Sequence, residues 1–115
     1  MNTQEFVNSI KQVVRDSTIN GVISLIESPP GRSPKKNLLE LSKYYQEKND
    51  EEKRIIREII KLTTDNAIFG FLCVLDGVRE FDDVSKGKLS LIYTSDNKEF
   101  KLNKDEDLHD YYNAE

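Results

Sequence analysis

Apolar residues recur at helical spacing through the first 75 residues of the chain. Five segments show this pattern, and each is bounded by residues that favour caps or turns. We therefore predict about five helices, and the fifth, apolar on nearly all sides, is expected to be central and buried. The apolar positions are Phe6, Val7, Ile10, Val13 and Val14; Val22, Leu25 and Ile26; Leu38, Leu39, Leu41, Tyr44 and Tyr45; Ile55, Ile56, Ile59, Ile60 and Leu62; and Ala67, Ile68, Phe69, Phe71, Leu72, Val74 and Leu75.

Two of the predicted helix starts carry the spacing of a capping box. Asn2 is followed three residues later by Glu5, and Asn49 by Glu52. Such pairs satisfy the free backbone N–H groups of a first helical turn. Thr3 is an alternative cap for the first helix.

Turn-forming stretches separate the five segments. Proline and glycine in them disfavour helical dihedrals or permit a sharp reversal. Thr64 or Asp65 is expected to open the fifth helix, and Gly77 to end it in the left-handed conformation. The interrupting stretches are DSTINGV at 16–22, SPPGRSP at 28–34 and EKND at 47–50.

After Gly77 the apolar pattern changes to the two-residue alternation of strands. VREFDD, KLSLIYT and KEFKL fit three short antiparallel strands, and SKG and SDNK fit hairpin loops between them. Phe100 and Leu102 fall on one face of the third strand, which we expect to pack against the helices. The final stretch DLHDYYN predicts a short terminal helix or turn.

This order of elements predicts the α+β class. An N-terminal bundle of about five helices is expected to pack on a C-terminal three-stranded meander. The boundaries are 1–77 for the helical part, 78–103 for the meander and 104–115 for an acidic terminal segment, within a single domain of 1–115.

The net charge of −4 is confined to the acidic terminal segment. Residues 1–102 carry sixteen basic and sixteen acidic side chains, whereas residues 103–115 carry one and five. A nucleic-acid-binding protein is expected to show a clustered basic excess, which this sequence lacks. The charge pattern favours a positively charged partner.

The single cysteine excludes an internal disulfide and favours a reducing compartment. The first residues, MNTQEFVNSI, lack the basic and apolar regions of a signal peptide. The longest apolar stretch, AIFGFLCVLDGV, falls short of the ~20 residues that a membrane span needs. We therefore expect a cytoplasmic protein that does not bind membranes.

His109, the only histidine, stands among carboxylates in the terminal stretch. Zinc sites need three or four convergent ligands, usually with further histidine or cysteine, and the calcium-loop pattern is absent. In a helix, Asp107 and Asp110 would share one side and His109 would point elsewhere. We therefore predict a structural or interface histidine, and neither a metal nor a cofactor.

Two other patterns were weighed as catalytic. Paired carboxylates need a separation of ~5–9 Å, and the adjacent Asp82 and Asp83 point to opposite faces of a strand, whereas Asp76 is expected to be a cap-and-turn residue. Cys73 with His109 as base is a further arrangement, but an apolar setting leaves a thiol inert. No catalytic residue is predicted, and the protein is expected not to be an enzyme.

Arg32 and Arg79 are candidates for anion binding. PPGRSP places Arg32 on a stiff loop, where a guanidinium either binds a carboxylate or phosphate or pairs with the chain's own acids. Among the tyrosines, Tyr111 and Tyr112 lie beside the acidic run and cannot both face inward. One of them is expected to contribute to an exposed contact, since tyrosine is enriched at interfaces.

The stretches PPGRSP, FGFLCVLDGV, GKLSLIY and LHDYYN together resemble a group of small, uncharacterised bacterial cytosolic α+β proteins. The resemblance spans nearly the whole chain and implies a fold. More loosely, the size and acidic end are similar to immunity proteins of bacterial toxin–immunity pairs, including contact-dependent inhibition systems. That resemblance implies a protein that binds and blocks a cognate toxin domain.

The sequence thus supports three hypotheses, of which the first is a non-enzymatic inhibitor of a basic toxin domain. The second is a small-ligand-binding or regulatory module, with Arg32, Arg79 and His109 converging in a pocket between helices and sheet. The third and least favoured is an enzyme that uses Cys73 or His109. The oligomeric state is left open. For the first hypothesis the partner-binding residues are Asp105, Glu106, Asp107, His109, Asp110, Tyr111 and Tyr112.

Overall fold

A computed structural model describes residues 1–80 and 87–114. The chain divides into two compact units. The first unit comprises Met1–Val14 and Asn66–Glu115, and the second comprises Arg15–Asp65. Among the described residues, no helix is both long and apolar enough to cross a membrane.

Helical structure is continuous from residue 3 to residue 27. It consists of α1 (Thr3–Ile10), a π-helical segment (Lys11–Asp16) and α2 (Ser17–Glu27). The start was predicted correctly, because the Asn2 side chain accepts a hydrogen bond of 2.8 Å from the Glu5 N–H.

The predicted break at DSTINGV is wrong, since this stretch lies within the continuous helix. Gly21 has open space where a side chain would stand, so no neighbour demands a glycine at this position. A single interior glycine costs a helix only about 1 kcal/mol relative to alanine, and helical neighbours on both sides override it.

In the second unit, α2 packs against α3 (Lys36–Gln46). Tyr45 is 2% exposed, and its hydroxyl donates to Glu27 Oε1 at 3.2 Å while accepting from Arg57 at 3.2 Å. The loop between the two helices contains Gly31 at φ +84°, as its expected role in a reversal requires.

A single helix, α4 (Asp50–Leu75), replaces the predicted fourth and fifth helices. Its start has the predicted reciprocal cap, in which Glu52 N–H donates to Asn49 Oδ1 at 2.8 Å and Asn49 N–H donates to Glu52 Oε1 at 3.1 Å. Thr63 and Thr64 donate to carbonyls four residues earlier in the same helix. A hydroxyl bonded in this way does not cap a new helix, and the helix continues through the predicted break.

The apolar positions of α4 are only partly covered. Leu72 is 3% exposed, as expected of a core residue, whereas the neighbouring Phe71 is 62% exposed. The prediction that this part of the helix is buried on nearly all sides is therefore wrong. Gly77 ends the helix at φ +79°, as predicted.

The described β-structure is one antiparallel hairpin of β1 (Ile92–Ser95) and β2 (Lys98–Lys101). Its turn matches the predicted loop, because Asp96 and Asn97 both have positive φ, the requirement of a type I′ turn. The predicted three-stranded meander is not matched. The described part of its first strand, 78–80, is not in the sheet, and 81–83 lie outside the described residues.

The hairpin strands are exposed along their whole length, so the expected packing of a sheet face on the helices is not seen in the described residues. Only the base of the hairpin enters the core. Leu102 N–H donates to Leu91 O at 2.8 Å, and Leu102 itself is 2% exposed. Phe100, two residues before Leu102 in the sequence, lies in the exposed strand β2 and is itself 46% exposed.

The core of the first unit joins α1, the end of α4, the hairpin base and α5 (Leu108–Asn113). The hydroxyl of the buried Thr3 donates to the Leu102 carbonyl at 2.7 Å, which connects the first helix to the hairpin. This arrangement brings the acidic terminal segment beside the C-terminal end of α4. The buried core residues are Val7, Leu72, Leu102, Leu108 and Tyr112.

Candidate functional site

Helix α5 is fixed to the first unit at both ends. Leu108, in its first turn, is fully buried, and Tyr112, in its last turn, is 7% exposed. The Lys11 ammonium donates to the carbonyls of Tyr111 (3.3 Å) and Ala114 (3.1 Å) and lies 5.7 Å from the Tyr112 ring centre. A cation at these terminal carbonyls is favourable because they carry the negative end of the helix dipole.

The carboxylate of Asp76 joins this helix to the end of α4. The Asp76 side chain is 0% exposed, and its Oδ2 accepts a 2.8 Å hydrogen bond from the His109 backbone N–H. The same oxygen lies 2.6 Å from Nδ1 of the His109 ring. These two contacts fix both the backbone and the ring of His109.

The other edges of the His109 ring are also in contact with side chains. Nε2 lies 3.3 Å from Oδ1 of Asp110, and Phe69 approaches the ring edge-on with 5.9 Å between ring centres. With a side chain only 16% exposed, His109 is an oriented, largely buried imidazole. It lies between two carboxylates.

The second carboxylate oxygen of Asp76, Oδ1, is buried and has no hydrogen-bond partner among residues 1–80 and 87–114. Asp107 lies close by, so that Asp76, Asp107 and His109 each present one ligand atom within 4.8 Å of the others. Buried polar atoms are nearly always paired, so an unpaired carboxylate oxygen requires a specific explanation. Asp76 Oδ1 is therefore an unused acceptor among the described residues.

A cavity of about 660 Å³ lies between the end of α4 and the hairpin base. Asp76 and Asp107 contribute to its wall. Its other charged side chains are the acidic Glu80 and the basic Arg79, Lys88, Lys101 and Lys104. Its volume falls within the range of about 300–1,000 Å³ typical of small-molecule sites.

Arg79, one of the two candidate anion-binding residues, lines this cavity. A side-chain carbon added to Gly70 would lie 2.5 Å from Arg79 Nη1, so glycine at this position lets the guanidinium lie against α4. Arg32, the other candidate, is exposed in a bend of the second unit.

The predicted partner-binding residues divide into exposed and buried groups. Asp105 and Glu106 are exposed, and the side chain of Asp110 is 73% exposed. The hydroxyl of the half-buried Tyr111 donates to Glu106 Oε1 at 2.7 Å, and this hydrogen bond raises the pKa of Tyr111. Tyr112 is a core residue, so of the two tyrosines only Tyr111 contributes to the surface.

Cys73 is 7% exposed, and its burial raises the pKa of the thiol. The negative charges of Asp76, Asp110 and Asp107 act in the same direction, whereas Arg79 acts against them. A thiol in these surroundings stays protonated at neutral pH and is a poor nucleophile.

Sequence reasoning missed the partnership of Asp76 and His109. The two residues are separated by 33 positions, and the expected role of Asp76 was a local one in the turn that ends α4. One signal was available, since Asp76 is the only charged residue from Asn66 to Val78. A lone carboxylate in an apolar stretch that is expected to be buried needs a partner from elsewhere in the chain.

Comparisons of the chain with protein-family models, with curated proteins and with solved structures found no match.

Proposed function

We propose that the protein is a cytoplasmic, non-enzymatic inhibitor of the immunity type, which binds a basic toxin domain. Its contact is the acidic surface, defined as Asp105, Glu106 and Asp110. The observation that supports this proposal is an exposed set of like charges on a backbone fixed to the core by the Asp76–His109 pair. A preorganised contact loses less entropy on binding than a mobile one.

Charge complementarity would act chiefly on the rate of association. An acidic surface attracts a basic partner over the screening length, which is about 10 Å at 0.1 M salt and about 3 Å at 1 M. Steering of this kind raises association rates and makes them depend on salt. Tyr111, held beside Glu106 by its hydroxyl, supplies an adjacent aromatic contact.

The test is a kinetic binding assay with purified basic toxin domains of bacterial contact-dependent inhibition systems. Reversing Asp105, Glu106 and Asp110 to lysine should lower the association rate at least about tenfold at low salt and remove most of its salt dependence. Unchanged rates and salt dependence would exclude the acidic surface.

The matched control for the binding assay reverses three exposed glutamates of the second unit. These are Glu40, Glu47 and Glu58. It changes the net charge by the same amount, and the proposal expects it to affect the association rate far less than reversal of the acidic surface.

A small-ligand-binding or regulatory module is the second candidate function, and the cavity of the first unit, with four basic side chains in its wall, favours it. Thermal-shift measurements with ATP and with inorganic phosphate test this alternative, because a ligand that binds only the folded state raises the melting temperature. Replacing Lys101 and Lys104 with glutamine should remove the shift. Lys98→Gln, on the same hairpin but outside the cavity wall, should preserve it.

A further inference from the structure

Asp76, Asp107 and His109 form a compact set of metal-ligating groups within the first unit. Their ligand atoms lie within 4.8 Å of one another. Asp76 reaches the site from the turn after α4, and Asp107 and His109 flank Leu108 at the start of α5. The fold thus brings together donors that are distant in the sequence.

The carboxylates of Asp76 and Asp107 are only partly used by the hydrogen bonds of the described residues. Asp76 Oδ1 is buried without a partner among the described residues, although the Asp76 side chain is fully enclosed. Asp107 occupies the capping position of α5, but its side chain makes no capping hydrogen bond. A buried unpaired carboxylate oxygen is costly, and an ion is one of the few groups that remove this cost.

The surroundings of His109 match those of a metal-binding imidazole. Metal-bound histidines usually direct their second ring nitrogen to a carboxylate or carbonyl, which fixes the orientation of the ring. In His109, Nδ1 faces Asp76, and Nε2 lies 3.3 Å from Asp110 Oδ1. Asp110 can therefore fix the ring while Nδ1 binds an ion.

We propose that Asp76, Asp107 and His109 bind a divalent transition-metal ion of the Zn²⁺ class. Nδ1 of His109, in its unprotonated form, binds the ion, the two carboxylates supply oxygen ligands and balance its charge, and water completes the coordination. One imidazole with two carboxylates suits Zn²⁺ and similar ions, whereas Mg²⁺ and Ca²⁺ prefer oxygen ligands alone. This site goes beyond the proposed inhibitor function and does not depend on it.

The test uses the full chain and Zn²⁺ alone, followed by calorimetry and by ¹⁵N NMR of the imidazole. Because His109 is the only histidine, its two ring nitrogens can be assigned without ambiguity. We expect saturable binding of one ion per chain and a large shift of the Nδ1 resonance, with the ring proton of the bound form on Nε2. Mg²⁺ should cause no such change.

Asp107→Asn is the decisive variant, because no capping bond depends on the Asp107 side chain. It should weaken Zn²⁺ binding at least about tenfold, the lower end of what loss of a supporting residue costs a metal site. Asp105→Asn, at an exposed acid of the same segment, should leave the affinity unchanged. An unchanged melting temperature without metal would verify that Asp107→Asn folds normally.

Three outcomes would overturn the metal site. They are an absence of saturable Zn²⁺ binding, binding that leaves the His109 nitrogens unshifted, and equal loss of affinity in Asp107→Asn and Asp105→Asn. The last two would mean that Zn²⁺ binds to surface carboxylates in general. Equal binding of Mg²⁺ would overturn the assignment to a transition metal.

Discussion

The two units of the chain differ in how many apolar side chains they bury completely. In the first unit, five apolar side chains form a closed core, and hydrogen bonds connect residues up to 103 positions apart. In the second unit, Ile26 and Tyr45 are the only buried apolar residues. Large apolar side chains stay exposed in both units, and those of the second unit are Leu25, Leu39, Leu41, Tyr44, Ile55, Ile59 and Leu62.

This difference indicates where stability and precise geometry reside. Burial of apolar area is the main favourable term in folding, so the first unit is expected to resist unfolding more than the second. The Asp76–His109 pair and the acidic surface both belong to the first unit. A site that requires fixed side chains therefore lies in the part of the chain best able to fix them.

The largest expected effect is from truncating the core of the first unit. Leu72→Ala should lower the free energy of unfolding by about 2–5 kcal/mol, through lost burial and the cavity left behind. Ile59→Ala, on the same helix but 57% exposed, should cost less than about 1 kcal/mol. Urea denaturation measures both, and equal costs would contradict the contrast between the units.

The next largest effect is expected at the buried carboxylate. Asp76→Asn alters the carboxylate whose Oδ2 accepts from the His109 backbone N–H and contacts Nδ1 of the His109 ring, and it should lower the free energy of unfolding by about 1.5–3 kcal/mol. Asp105→Asn provides the matched control at an exposed position. A cost for Asp76→Asn no larger than that of the control would mean that the pair does not stabilise α5.

A smaller effect is expected from the corresponding hydrogen bonds of the second unit. Tyr45→Phe removes the hydroxyl that connects Glu27 and Arg57 and should cost about 0.5–1.5 kcal/mol. The ring itself stays buried in the variant. In native-state hydrogen exchange, the variant should lose protection within residues 15–65. A loss of protection confined to the first unit would contradict the division of the chain into two units.

The smallest expected effect is a loss of stability at alkaline pH, caused by ionisation of one tyrosine in each unit. Burial raises the pKa of Tyr45, and the hydrogen bond to Glu106 raises that of Tyr111, above the usual value of 10.0. A group whose pKa is higher in the folded state adds to the free energy of unfolding. This contribution is fully present below the pKa of the unfolded state and is lost as the pH rises through the pKa of the folded state. Unfolding followed from pH 9 to about pH 11 should show this loss, and it should be weaker in Tyr111→Phe. An identical pH dependence in that variant would count against the Tyr111–Glu106 bond.

Local signals were predicted well from the sequence. The cap at Asn2, the reciprocal cap at Asn49, the helix end at Gly77 and the hairpin turn at 96–97 each depend on residues within a few positions. The predicted helix breaks were wrong because the residues at these positions do not decide the local structure by themselves. Thr64 can either cap a new helix or bond to the carbonyl of Ile60, and its neighbours along the helix decide which.

The candidate site was less predictable because it depends on packing between distant segments. The exposed positions of Asp105 and Glu106 follow from local charge, and these were identified. The partner of His109 was not identified, since no local pattern relates it to a carboxylate 33 positions earlier. Tyr112 was assigned to the contact surface because its burial depends on where α5 packs.

The hydrogen bonds of Lys11 also bear on the order in which a growing chain can fold. Its partner Tyr111 lies 100 positions later, and Val7 shares its core with Leu108 and Tyr112. At roughly 5–20 residues per second, a ribosome would need about 5–20 s to make the intervening segment. In the later part of that interval, once Asp65 has been added, the second unit has all its residues, while the apolar face of α1 still lacks its partners. The earliest helix to be synthesised therefore belongs to the unit that is completed last.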